Sequence, residues 1–162
     1  MISVDLNLLL VNLGKNTSMT SQIIYEGELR TKATHLQSGT VIETDAPVDN
    51  QGKGERFSPT DLVATALGSC MLTIMGIKAR DLNIDLKGTT IDITKIMVSE
   101  PRRIGELKVK FHFPPTLRTD EKQRLILERA AMTCPVMESL HADLKKSVEF
   151  CWDEKLVLGE GE

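Results

Sequence analysis

The chain has 162 residues, 41% of them hydrophobic and 27% charged; that is one globular domain's worth of sequence with a core of its own, and it excludes a disordered or collagen-like chain. The net charge of -3 lacks the surplus of Lys and Arg that tracking a polyanion demands, so nucleic acid is not an expected partner. Cys70, Cys134 and Cys151 are widely spaced in a chain too long to need a disulfide scaffold, which points to a reducing, cytoplasmic setting where thiols stay available for chemistry.

No stretch is expected to approach the roughly 20 apolar residues of a bilayer span; the longest candidate, Leu6 to Leu13, is broken by Asn7 and Asn12 and preceded by Asp5. It suits neither a bilayer span nor a secretory signal, and no membrane partner is expected. Met19 opens the run MTSQIIYEGELR, so residues 1–18 read as an N-terminal extension and residues 19–162 as a single domain. Ile23 to His35 is β-like, and a Ser38-Gly39 turn leads to Val41–Thr44, which predicts a hairpin. The polar stretch Asp45–Phe57, with Pro47, Gly52 and Gly54, reads as a loop.

Ser58 is a good N-cap, Pro59 suits the first helical position, and Asp61 lies near the positive end of the dipole. The helix continues through LVATALGSCMLTIMGIKAR. Val63, Leu67, Cys70, Ile74 and Ile77 form one apolar stripe, and Leu62, Ala66, Met71, Leu72 and Met75 make the other side apolar too. A helix apolar nearly all round is expected to be buried nearly all round, and with 4% aromatic residues its cover is easier to supply from a second subunit. Gly68 costs about 1 kcal/mol there relative to Ala, so a close approach by another element or a substrate is expected.

Thr89–Val98 and Gly105–Phe113 read as strands joined by a turn at Glu100-Pro101-Arg102-Arg103. The second alternates cleanly: Leu107, Val109, Phe111 and Phe113 face the core, with Glu106, Lys108, Lys110 and His112 opposite. Thr119, followed by Asp120 and Glu121, is the expected cap of a helix reaching Met132. Pro135 forces Cys134 out of helical geometry and restarts a helix to Ala142 with Cys134 in the cap position. A strand Val148–Trp152 closes the chain, with Cys151 and Glu149 on the face opposite Val148, Phe150 and Trp152.

Cys70 sits more than two turns into its helix, where the dipole does little for a thiolate; Cys134 at a helix N-terminus has N–H groups and a positive partial charge to favour one. If their Cα atoms come within about 7 Å, the pair permits a thiolate to attack a peroxide and a second thiol to resolve the sulfenic acid as a disulfide. Read singly, each cysteine is equally a small core hydrophobe or a plain cap. His35, His112 and His141 keep a Cys-His acyl-transfer enzyme open. No His or Cys spacing fits a zinc site, and neither a metal nor a cofactor is expected.

The run SPTDLVATALGSC ending at Cys70 and the run AAMTCPVMESL around Cys134 resemble the two cysteine motifs of the OsmC/Ohr family of osmotically induced and organic hydroperoxide resistance proteins. The resemblance covers about Ile23 to Trp152. It implies an α+β fold in which antiparallel sheets wrap around two long central helices in an intertwined homodimer. It also implies a peroxidase acting on organic hydroperoxides and regenerated by a dithiol reductant, with Cys70 peroxidatic and Cys134 resolving. Peroxidase members carry a Glu in the first turn of the Cys helix, paired with an Arg; here Thr60 holds that position with Asp61 beside it, and Arg30 and Arg56 are the available cations. Asp61 and Arg30 are therefore candidate site residues alongside the cysteines. The missing Glu/Arg pair also motivates a second reading, a non-enzymatic member of the same fold that binds a small ligand or simply bears thiols.

Overall fold

The structure, a computed structural model, describes residues 19–152; the expected extension over residues 1–18 lies outside them. The chain forms two compact units, one ending at Ser58 and one beginning at Pro59.

In the first unit, β1 (Ser21–Gly27), β2 (Arg30–His35) and β3 (Val41–Asp45) make an antiparallel sheet in that order. The stretch expected as one strand over Ile23–His35 is thus two. Gly27 pairs with Arg30 around the two-residue loop Glu28-Leu29, whose φ values are 49° and 61°. Positive φ at both central residues suits the twist of a tight hairpin, but the turn is made without the Asn-Gly chemistry that announces one. Ile23, Ile24, Tyr25, Val41 and Ile42 are exposed. Neighbours along a strand point to opposite faces, so apolar side chains stand open on both sides of this sheet.

The second unit contains α1 (Pro59–Asp81), β4 (Thr90–Ser99), β5 (Arg102–His112), α2 (Glu121–Met132), α3 (Pro135–Ser139) and β6 (Lys145–Cys151). α1 begins at Pro59, as its local signals dictate. β4 and β5 form an antiparallel hairpin, and β6 lies parallel to β5 in the sheet order β4-β5-β6. Leu107, Val109, Phe111 and Phe113 are buried, as their alternation requires. Phe150 stacks on Phe111 and Trp152 on Phe113, with centroids 4.8 and 3.6 Å apart. The Trp152 indole N–H donates to Glu128 of α2 at 2.6 Å, tying the end of β6 to that helix. The cap of α2 is Asp120, one residue beyond the expected Thr119. Its carboxylate accepts from the Gln123 N–H while the Gln123 side chain accepts from the Asp120 N–H, a reciprocal box that Thr119 is one position too early to make.

Among the residues of α1, Ala64, Leu67, Gly68, Met71, Met75 and Ala79 are buried, whereas Val63 and Ile77 of the expected core stripe are exposed. When apolar residues surround a helix, periodicity selects no face; its partners do. Sheet and helices of this unit cover one side only, and burial of Leu67, Met71 and Met75 there contributes about 1.5–3 kcal/mol each. By length and composition α1 also meets the criterion for a membrane span, with a mean hydropathy of 1.6 over 18 residues, so the expectation that no segment comes near that limit is too strict. Its packing against the sheet and helices of this unit is that of a core helix.

The close approach expected at Gly68 is made by β4. A Cβ there would collide with Ile93 Cδ1 and meet Ile91 at 3.4 Å. Gly68→Val is therefore expected to lower stability by about 1–3 kcal/mol. Thermal unfolding checks this: an unchanged midpoint would show that β4 yields without cost.

Candidate functional site

The site is built where α1 meets α3. After α2 ends, Cys134 takes the extended geometry that a following Pro requires, with φ -70° and ψ 144°. Its Sγ accepts the Met137 N–H at 3.3 Å, so the thiol occupies the cap expected for it. α3 stops at Ser139 instead of Ala142 because Leu140 is extended. Cys134 is 0% exposed, within the cluster that includes Leu67, Met71 and Met137.

The second thiol comes from α1. Cys70 is half-buried, packs against the same cluster and hydrogen-bonds to the Cys134 side chain. The fold therefore brings together two residues 64 positions apart (134 − 70). Neither is in a disulfide. Burial pushes the Cys134 thiol up from its ordinary value, the Met137 N–H opposes this, and contact with Cys70 adds to the rise. The helix terminus was expected to favour a thiolate at Cys134; in a helix of one turn with a fully buried sulfur, desolvation outweighs it. None of these principal influences on Cys134 is a Lys, an Arg or a histidine.

The candidate charged residues are placed as follows. Asp61, in the first turn of α1, pairs with Lys95 at 2.7 Å, and the same ammonium donates to Thr60 Oγ1 at 2.7 Å. Lys95 is mostly buried, with 16% of its side chain exposed. Sequence reasoning passed over it, although a signal was there: Lys95 continues the inward parity of Ile91 and Ile93 along β4, so a cation had to enter an apolar face. Arg30, in the first unit, makes a two-pronged contact with Asp45 at 2.7 and 2.8 Å and reaches Glu55 at 2.8 Å. Asp45 is buried and also accepts the Glu55 N–H at 3.1 Å. The Arg30 guanidinium holds the Asp45 carboxyl below the usual range, and both carboxylates raise Arg30 further. Arg56, the other available cation, pairs with Glu43 at 2.9 Å.

A half-buried and a buried thiol in hydrogen-bond contact, on a long helix and at a Pro-marked cap of an α+β unit, define a dithiol protein. The family model described as OsmC-like protein matches residues 52–149, and the chain belongs to this OsmC-like family, as the two cysteine motifs imply. A Psychrobacter arcticus 273-4 protein, provisionally named for osmotic stress induction and a detoxification response, is 52% identical and superposes with a TM-score of 0.80 over 86% of this chain and 100% of its own. The OsmC-like protein of Mycoplasma pneumoniae is 14% identical, with a TM-score of 0.69 over 85% of this chain and 98% of that one. An organic hydroperoxide resistance protein OsmC from Legionella pneumophila is 16% identical, with a TM-score of 0.62 over 83% and 98%. Identities this low carry the fold alone. No curated protein matches the chain.

The raised Cys134 thiol sets a sign for stability. Below the unfolded thiol pKa, about 8.5, its contribution is fully present; as pH rises toward the folded value, the unfolded chain ionises first and that contribution is lost. The urea midpoint of the reduced protein is expected to fall more steeply above this pH than that of Cys134→Ser. Parallel curves would refute a raised thiol.

Proposed function

We propose that the protein is a thiol-dependent peroxidase that reduces organic hydroperoxides through Cys70 and Cys134. The observation that carries this reading is the contact between the two thiols. Exposure supports Cys70 as the peroxidatic and Cys134 as the resolving thiol, since a peroxide from solvent meets half-buried Cys70 before buried Cys134. The Cys70 sulfur attacks one peroxide oxygen, the O–O bond breaks, and the alcohol leaves with a proton while Cys70 becomes a sulfenic acid. The Cys134 sulfur then displaces water to form the disulfide, and a dithiol reductant returns two electrons by exchange. Cys134 remains protonated until that second step, which suits a resolving thiol.

Membership of a family with peroxide-resistance proteins supports the substrate class. A cytoplasmic setting accords with three cysteines outside disulfides. We also propose that the protein works as a homodimer, because Val63 and Ile77 of α1 and both faces of the β1-β2-β3 sheet leave apolar side chains open in the single chain. A second reading, a thiol-bearing or small-ligand-binding member without turnover, is favoured by one observation: among the described residues, the principal influences on Cys134 are burial, backbone N–H groups and Cys70, not a Lys, Arg or His.

Stopped-flow mixing with tert-butyl hydroperoxide separates the two. The peroxidase reading predicts loss of two thiols per peroxide in the wild type, no rapid phase in Cys70→Ser, and a trappable sulfenic acid in Cys134→Ser. Consumption no faster than a free thiol would select the non-enzymatic reading. Light scattering is expected to give twice the chain mass, 18.0 kDa, and a monomer would dismiss the dimer.

A further inference from the structure

The remaining cysteine lies on the other side of the second unit's sheet, away from the core face. Residues of like parity form rows across the three strands there. Asp92 of β4 stands opposite Lys110 of β5 and Glu149 of β6; one step along, Thr90 stands opposite His112 and Cys151. Because β6 runs parallel to β5, Cys151 and His112 are direct register partners on one face. The His112 Nε2 is 2.9 Å from Asp92 Oδ2. Cys151 donates its S–H to Glu149 Oε1 at 3.3 Å, and Lys110 Nζ lies 3.4 Å from the same oxygen.

Thiol, imidazole and carboxylate thus succeed one another across three strands, and the charged groups around them are Glu149, Lys110 and Asp92. One row along the strands from Cys151 and His112, which do not line it themselves, opens a cavity of about 530 Å³ whose lining combines Val109 and Val148 with Asp92, Lys108, Lys110 and Glu149, large enough for a small peptide-sized molecule. Its walls offer two ammonium and two carboxylate groups, the complement of a zwitterion.

We propose that Cys151 is a second reactive thiol, activated by His112 and Asp92, that forms a mixed disulfide with a small zwitterionic disulfide bound in this cavity. Asp92 accepts from Nε2 and so selects the tautomer in which Nδ1 is basic. At rest Glu149 keeps the proton on sulfur. During attack that proton passes to His112, the Cys151 sulfur bonds to one sulfur of the ligand, and the ligand's S–S bond breaks. The departing thiolate takes the proton from the imidazolium. The small disulfide is the oxidant and one half of it is released as thiol, so atoms and electrons balance. Lys108 and Lys110 receive carboxylates, Asp92 and Glu149 ammonium groups. This inference is independent of the peroxidase reading, since it uses neither Cys70 nor Cys134.

The test uses the full chain with Cys70→Ser and Cys134→Ser, which leaves Cys151 as its one cysteine; serine retains the cap at position 134. Oxidised glutathione is the probe, and intact-mass spectrometry follows the adduct across about pH 6 to 9. Adduct formation is expected at least about tenfold faster than for free cysteine near neutral pH, with an inflection in the histidine range. His112→Gln and Asp92→Asn should each slow it and remove or shift the inflection. Lys108→Ala/Lys110→Ala should weaken saturation by oxidised glutathione while sparing the rate with cystamine, which has no carboxylates. Adduct formation at the free-cysteine rate, or His112→Gln and Asp92→Asn profiles matching the parent, would overturn the proposal.

Discussion

The burial of one face of α1 is the constraint on which the site depends. Leu67, Met71 and Met75 are fully buried with Leu107, Val109 and Phe111 of β5 and Leu127 of α2, and this fixes the rotation of the helix about its axis. Neighbouring helical residues are separated by about 100°, so a turn of one position would exchange Met71 for Cys70 in the core. With the observed rotation, Cys70 lies at the flank, half-buried, where α3 brings Cys134 to it. Gly68 contributes to the same arrangement by letting β4 approach the helix backbone where any side chain would collide with Ile93.

At Cys134 desolvation governs more than charge does. Cys134 sits at a helix N-terminus and accepts a backbone N–H, yet the absence of solvent keeps its proton on. The charged candidates are engaged in ion pairs: Asp61 with Lys95, and Arg30 with Asp45 and Glu55. A buried carboxylate such as Asp45 needs a partner of the bidentate kind that Arg30 supplies, because removing either would strand a charge in a poorly solvated place. The same reasoning explains Lys95, whose ammonium is held by the only polar groups of the first α1 turn, Thr60 and Asp61. A resolving thiol benefits from staying protonated and shielded until a sulfenic acid is presented to it, so the suppression of Cys134 ionisation is compatible with dithiol chemistry.

The two faces of the β4-β5-β6 sheet divide the remaining chemistry. Inside, a ladder of Phe111, Phe113, Phe150 and Trp152 closes the core and reaches Glu128 and Arg124 of α2. Outside, cross-strand rows of alternating charge pair Lys110 with Glu149 and Lys145 with Glu106. The parallel course of β6 sets which residues meet on that outer face. An antiparallel pairing would reverse the register along the strand and would set Cys151 against the opposite end of β5.

Much of the architecture was legible because it rests on local chemistry. Pro59 can only begin a helix well, Leu107 to Phe113 alternate too regularly to be anything but a half-buried strand, and Pro135 dictates the extended backbone of Cys134. The two cysteine motifs carried the family as well. Less legible were the Glu28-Leu29 turn, made by residues that seldom adopt positive φ, and the shift of the α2 cap to Asp120. By itself, then, the sequence determined which segments become helices and strands and which residues carry the sulfur. Only the tertiary structure decided which face of α1 is buried, that Cys70 and Cys134 touch, and that Lys95 meets Asp61. Those outcomes depend on packing between segments far apart in the chain, and an all-apolar helix carries no periodic signal from which its buried face can be read.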